Sequence, residues 1–137
     1  MSNLQLVDQS LPPPRAEITD AEGAAMARAV VNLFEHWQLT DREAATLLGG
    51  LSARTWARWK HGHISRLDRD RKARLSNLMG IHKALRLIFN EKARAYDWIR
   101  RPNTAFGWRS ALDVMLDGEL TDLMRVRRYL DAERGLW

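Results

Sequence analysis

Between Leu39 and Gly62 the chain reads LTDREAATLLGGLSARTWARWKHG, a run that leaves little freedom in what it can fold into. Thr40-Asp-Arg-Glu43 has the form of a capping box, in which the hydroxyl takes the third amide of a helix and the glutamate reaches back to the cap. The helix that opens there must end at Gly49-Gly50, where the absence of a Cβ permits a tight turn. Ser52 then starts a second helix running to about His61, with Gly62 as its stop. Ala44 is small where the two helices have to cross, Leu47, Leu48 and Leu51 face a core, and Trp56 and Trp59 stand three apart and point inward together. The pattern is that of a helix-turn-helix.

With both tryptophans inward, Arg54, Arg58 and His61 occupy the opposite face at i, i+4 and i+7. Arginine reads guanine through two parallel hydrogen bonds in the major groove, each good pair contributing about 1–3 kcal/mol of discrimination. Ser52, Thr55 and Lys60 flank these residues and complete the set on this helix expected to meet DNA. The net charge of +5 supports a polyanionic partner through its distribution, because residues 42–74 hold nine Lys or Arg against Glu43, Asp68 and Asp70, whereas residues 101–137 are charge-balanced. Arg66, Arg69, Arg71, Lys72 and Arg74 lie at and beyond a helix start and suit phosphates better than bases. The competing reading of the same run is a solvated helix face. A single module binds weakly, and helix-turn-helix proteins of this size read dyad operators as dimers, so at least a homodimer on double-stranded DNA is expected.

Helical periodicity continues outside the module. Residues 1–17 carry Pro12-Pro13-Pro14 without a sustained period and read as a flexible arm or spacer. Met26, Val30, Leu33, Phe34 and Trp37 line one face of a helix that Thr19 or Asp20 caps. Asp68 opens a longer helix to about Asn90, with Leu75, Leu78, Ile81 or His82, Leu85, Ile88 and Phe89 on its buried stripe and Gly80 as a point of bending. Three shorter helices follow, at about 91–99, 110–116 and 121–133, separated by Pro102-Asn103 and by Asp117-Gly118. No segment alternates like a strand. The expectation is an all-α chain divided into an arm (1–20), a helix-turn-helix bundle (21–80) and a small helical C-terminal domain (81–137).

The chain closes on Tyr129-Leu-Asp-Ala-Glu-Arg-Gly-Leu-Trp137. Termini drift toward small or polar residues, so an indole and a free α-carboxylate just beyond Gly135 suggest an end that is inserted into a partner. Val126, Tyr129 and Leu130 can pack one helix face, leaving Arg127, Arg128 and Arg134 for a polar rim, and Trp and Arg are favoured interface anchors. Trp98 reads as core, Trp108 equally as core or contact, and Trp137 as a contact.

From about Leu87 onward the sequence resembles the toxin-binding domain of the Xre/MbcA/ParS antitoxins, which follows a Xre-like helix-turn-helix. The resemblance rests on Trp98-Ile-Arg-Arg-Pro-Asn103, Phe106-Gly107, Leu112-Asp-Val-Met115, Gly118 and Val126-Arg-Arg-Tyr-Leu-Asp131 ahead of the terminal Gly and Trp. It implies a type II antitoxin whose partner is a RES-domain toxin that consumes NAD, by degrading it or by transferring ADP-ribose. It further implies that the C-terminal end blocks the toxin's cleft while the DNA-binding half represses the shared operon, in a complex that is a homodimer or a larger assembly with the toxin. On this reading Trp108, Arg127, Arg128, Tyr129, Arg134, Gly135, Leu136 and Trp137 meet the toxin.

No enzymatic constellation can be assembled. With Cys 0 there is no thiol nucleophile, disulfide or thiolate metal site, which fits a reducing, cytoplasmic location. His61-Gly-His63 lacks a third ligand at suitable spacing. Gly49-Gly50 follows no strand and precedes no GK[ST], so it is not a phosphate-binding loop. No cofactor, metal or membrane partner is expected, since no apolar run approaches the ~20 residues that span a bilayer. The alternative function class is a stand-alone transcriptional repressor whose C-terminal half only dimerises.

Overall fold

The computed structural model describes residues 17–135. The expected arm over residues 1–16 and the terminal Leu136 and Trp137 lie outside the described residues. Helix α1 (Asp20–His36) opens on Thr19 rather than Asp20: the Thr19 hydroxyl accepts from the Glu22 amide and the Glu22 carboxylate accepts from the Thr19 amide, both at 3.1 Å. Its inner face buries Ala27, Val30, Leu33 and Phe34, and Trp37 closes it. Helix α2 (Asp41–Leu47) and helix α3 (Ala53–Lys60) form the helix-turn-helix.

Helix α4 (Arg69–Ile88), capped by the Asp68 carboxylate on the Arg71 amide at 2.8 Å, is the spine of the molecule. It packs against α1 on one side and along its length against α7 (Leu120–Gly135) on the other. Leu75, Leu78, Ile81, Ala84 and Leu85 are buried, so Ile81 and not His82 belongs to the core stripe. The helix passes through Gly80 without a break, and the Arg127 guanidinium lies in the space that glycine leaves there, 2.5 Å from where a Cβ would stand. Arg127 uses that space to donate to the Ser76 carbonyl at 3.4 Å. The two halves expected from sequence therefore share one continuous helix across residue 80.

The helix ends at Ile88, two residues before the expected Asn90, and Phe89 is extended. The helix expected at 91–99 is divided into α5 (Lys92–Asp97) and a 3-10 turn, Trp98–Arg100. Pro102 accounts for the change, since a proline pushes the residue before it out of the helical region and final turns tighten before such a stop; Arg101 is extended. A second 3-10 turn, Thr104–Phe106, leads to α6 (Ala111–Met115), whose Ser110 hydroxyl accepts from the Asp113 amide at 3.0 Å. No strand occurs among the described residues, only an isolated antiparallel bridge between Pro102 and Ser110. Helix α7 runs to Gly135, past the expected end near 133, because Gly135 does not take the left-handed backbone with which glycine stops a helix.

Two contacts tie the C-terminal helices to α1. One Arg100 Nη2 donates to the carbonyls of Trp37 at 2.6 Å and Gln38 at 3.0 Å, at the point where Gln38 adopts φ 56° to leave the helix. The Tyr96 ring lies nearly parallel to His36 at 4.6 Å and to His82 at 6.0 Å, joining α1, α4 and α5. Burial holds the His82 imidazole below its ordinary titration range, assisted by the charges of Arg86 and His36.

Candidate nucleic-acid interface and partner-binding end

The turn between α2 and α3 is held from below by α4. Gly49 and Gly50 both have φ near +85°, at 85° and 83°, and the Arg74 guanidinium fills the space beneath Gly49. Arg74 is only 6% exposed; it donates to Asp70 at 2.9 Å and to the Leu47 carbonyl at 3.3 Å. Arg71 donates to the Leu48 carbonyl at 2.9 Å, so two arginines of α4 satisfy carbonyls that the end of α2 would leave open. The recognition-type helix α3 is braced at its far side by Asp41, which accepts from the Trp56 indole at 2.9 Å and from Lys60 at 3.1 Å. Those two donors hold the Asp41 carboxyl below the usual carboxylate range.

This bracing sorts the cations. Trp56 and Trp59 are buried, as their spacing required, and Arg54 and Arg58 project from the exposed face without an ion pair among the described residues. His61 is exposed, with Nδ1 on the Ala57 carbonyl at 2.9 Å. Ser52 and Thr55 are bound to each other, the Ser52 oxygen accepting from the Thr55 amide at 3.1 Å and donating to its hydroxyl at 2.9 Å, so they define where α3 starts. Arg66 and Arg69 are exposed, Arg69 in an exposed ion pair with Glu17 at 3.6 Å. Arg71, Lys72 and Arg74, expected at phosphates, each make contacts within the fold: Arg71 with Leu48 and Asp68, Lys72 with the Ile18 carbonyl at 3.1 Å and Asp20 at 3.2 Å, and the buried Arg74 with Asp70 and Leu47. Spacing along one helix could not reveal these contacts.

At the other end Tyr129 is half-buried, stacked on Trp98 at 6.1 Å and meeting the edge of Phe106 at 5.2 Å. Arg127 points back to α4 and to Asp131 at 3.7 Å, Arg134 also reaches Asp131 at 3.7 Å, and Arg128 is exposed. Gly135 is exposed at the helix end. Trp108 is 71% exposed, and it stands in the left-handed region at φ 69°, directly after Gly107 at 63°. A bulky residue costs about 1–2 kcal/mol in that conformation. The loop that imposes it is closed by Asn103, whose carbonyl accepts from the amides of Phe106 and Trp108 at 3.0 Å while its side chain accepts from Ala105 at 2.8 Å.

Two supports of that loop were not evident from sequence. Arg109 grips Asp117 with two bonds of 2.9 and 2.8 Å and donates to the Asp113 carbonyl at 2.8 Å, which holds the Asp117 carboxyl below its usual range. Arg125 lies over the Phe106 ring at 5.2 Å. The eight-residue separation of Arg109 and Asp117 has no helical meaning, so only the fold brings them together.

Residues 16–80 match the antitoxin Xre-like helix-turn-helix domain. Residues 84–135 match the antitoxin Xre/MbcA/ParS C-terminal toxin-binding domain. The chain belongs to the Xre/MbcA/ParS antitoxin family. A relative in Sinorhizobium fredii, the uncharacterized protein y4oB, is 43% identical over 111 residues, covering 81% of this chain and 85% of the relative. The antitoxin therefore joins a DNA-binding helix-turn-helix to a domain for a toxin, which makes it a type II antitoxin. Among the described residues no helix is long and apolar enough to cross a membrane.

Proposed function

We propose that this antitoxin neutralises a RES-domain, NAD-consuming toxin by occupying its cleft with the C-terminal end of the chain, and that as a dimer it represses its own operon through the outer face of α3. The observation that carries the toxin side is Trp108: an indole held open to solvent, in a strained backbone, on a loop fixed by Asn103 and the Arg109–Asp117 pair. Strain of this kind persists where the surrounding structure over-determines it, and it clusters at binding sites. Arg128, Arg134 and the end of α7 extend the same domain toward the terminal residues. A cleft that accepts NAD must accommodate a pyrophosphate and flat rings, so the Trp137 indole would fill the apolar slot.

On the DNA side Arg54, Arg58 and His61 supply base contacts, and Lys60, Arg66 and Arg69 supply phosphate contacts. Arg71 and Lys72 enter this reading as residues that position α4 and its neighbours. Because α4 crosses residue 80, the division into residues 21–80 and 81–137 is one of surfaces on a shared scaffold.

The test keeps the whole chain. Deleting Leu136 and Trp137, or replacing Trp137 alone by alanine, should restore NAD turnover by the cognate toxin while operator binding is unchanged. Full inhibition by both variants would place neutralisation in the broader surface and refute the plug.

A further inference from the structure

The turn between α2 and α3 satisfies part of its backbone by itself. The amides of Leu48, Gly49, Gly50 and Leu51 return to carbonyls of Ala44, Thr46 and Ala45 at 2.9–3.2 Å, Gly50 and Leu51 sharing the last. The Leu47 and Leu48 carbonyls accept from α4 instead, Leu47 from Arg74 at 3.3 Å and Leu48 from Arg71 at 2.9 Å. Arg74 is the deeper of the two, its side chain 7% exposed against 23% for Arg71. Asp70, one turn earlier on α4, accepts from the Arg74 Nε at 2.9 Å and so aims the guanidinium. The group lies in the space that Gly49 leaves, where a Cβ would stand 2.8 Å from that Nε and 3.2 Å from the Asp70 Oδ2.

We propose that Arg74 is a positioning residue for operator recognition, acting through the Leu47 carbonyl to fix the angle at which α3 meets the major groove. The inference rests on the DNA reading proposed above. A side chain this buried does not reach a base or a phosphate, so its contribution to DNA binding passes through the turn. Stability alone gives no reason for a guanidinium at this place, because desolvating it is costly and an apolar side chain of similar size fills buried space as well or better. What an apolar side chain lacks is a donor for a carbonyl. Asp41 already fastens the start of α2 to α3 through Trp56 and Lys60, and Arg74 secures the opposite end of α2. Without that second fastening, two successive glycines at positive φ leave the turn free to swing. Reading a base edge with two hydrogen bonds tolerates little swing, whereas contacts to the phosphate backbone carry no sequence information to lose.

The test compares a duplex from upstream of the protein's own reading frame with a random duplex of equal length. The full chain and its Arg74→Met, Arg74→Lys and Asp70→Asn variants are titrated with both across a salt series, and tryptophan fluorescence reports their folding. A loss of folded fraction lowers both affinities by one factor and leaves their ratio untouched. For Arg74→Met the ratio should fall at least tenfold, equivalent to about 1.4 kcal/mol or one lost base contact, while the salt slope on random DNA stays that of the parent. Arg74→Lys should recover part of the ratio, since it keeps a charged donor but not the fork that spans Leu47 and Asp70, and Asp70→Asn should lose part of it. A parental ratio in folded Arg74→Met would overturn the proposal; if that variant does not fold, a parental ratio in both of the others would do so. A salt slope smaller by about one would mark a lost phosphate contact and overturn it as well. A parent chain that shows no preference for the upstream duplex would instead refute the DNA reading itself, and the role of Arg74 with it.

Discussion

Removing the Arg100 guanidinium should cost this protein about 2 kcal/mol, although the residue lies far along the chain from the helix end it serves. A hydrogen bond to a charged group contributes about 1.5–3 kcal/mol, and a cation at a helix C-terminus adds a further ~0.3–1 kcal/mol. Arg100 makes both kinds of contact with Trp37 and Gln38, but it is exposed, so solvent screening brings the sum toward the lower end. Arg100→Ala leaves the part-buried Trp37 carbonyl without that donor and leaves Gln38 in a left-handed conformation with less to hold it there. With a urea slope of about 1–3 kcal/mol per molar, the unfolding midpoint should fall by roughly 1 M. Tryptophan fluorescence during urea titration measures it. Arg100→Lys should recover part of the loss, since it retains charge but not a planar fork with two well-directed hydrogens on one nitrogen. A midpoint for Arg100→Ala indistinguishable from the parent would refute the view that this contact fastens the C-terminal helices to α1.

Trp108→Gly should leave the urea midpoint unchanged or raise it by relieving the backbone at φ 69°, yet weaken toxin binding by tenfold or more, the loss of an anchor worth at least about 1.4 kcal/mol; calorimetry against the cognate toxin checks the second half. Arg58→Ala should relax base preference, whereas Arg66→Ala with Arg69→Ala should weaken specific and random DNA alike and flatten the salt dependence, as gel shifts across a salt series would show. Stability should decline with acid in a specific window: Asp41, Glu22 and Asp117 are held below their ordinary values by hydrogen-bond donors, so their contribution is present above about pH 4 and is lost as pH falls through the lowered values. Asp41→Asn should flatten part of that decline in a denaturation series from pH 6 to 2. His82 adds a smaller loss earlier, because a histidine depressed from 6.5 favours the folded state above that value and stops doing so as pH falls through its folded value; His82→Phe should remove that component.

What was legible in the sequence was whatever local chemistry decides. The capping box at Thr40, the Gly49-Gly50 turn and the inward pair Trp56 and Trp59 stand where their spacing required, because each depends on neighbours within one or two helical turns. The run of cations at 66–74 was legible only as charge. Its division into exposed Arg66 and Arg69 and committed Arg71, Lys72 and Arg74 depends on carbonyls of Leu47, Leu48 and Ile18, which reach α4 from distant parts of the chain. Gly80 shows the same limit, since the side chain that packs over it, Arg127, comes 47 residues later. Trp108 was undecided between core and contact, and nothing in its own neighbours could have decided it, because its exposure follows from the loop closed by Asn103.

The single helix that crosses residue 80 also limits how such a protein can be recombined. A chimaera that joined this DNA-reading half to another toxin-binding half at that point would splice through the middle of α4, pairing the Ser76 carbonyl and Gly80 of one parent with whatever the other carried at position 127. Exchange of toxin preference without loss of operator preference should instead proceed by replacing exposed residues on α7 and the Trp108 loop, with α4 inherited whole. On the proposed reading, a change of toxin confined to those surfaces would leave the operator-reading face of α3 untouched.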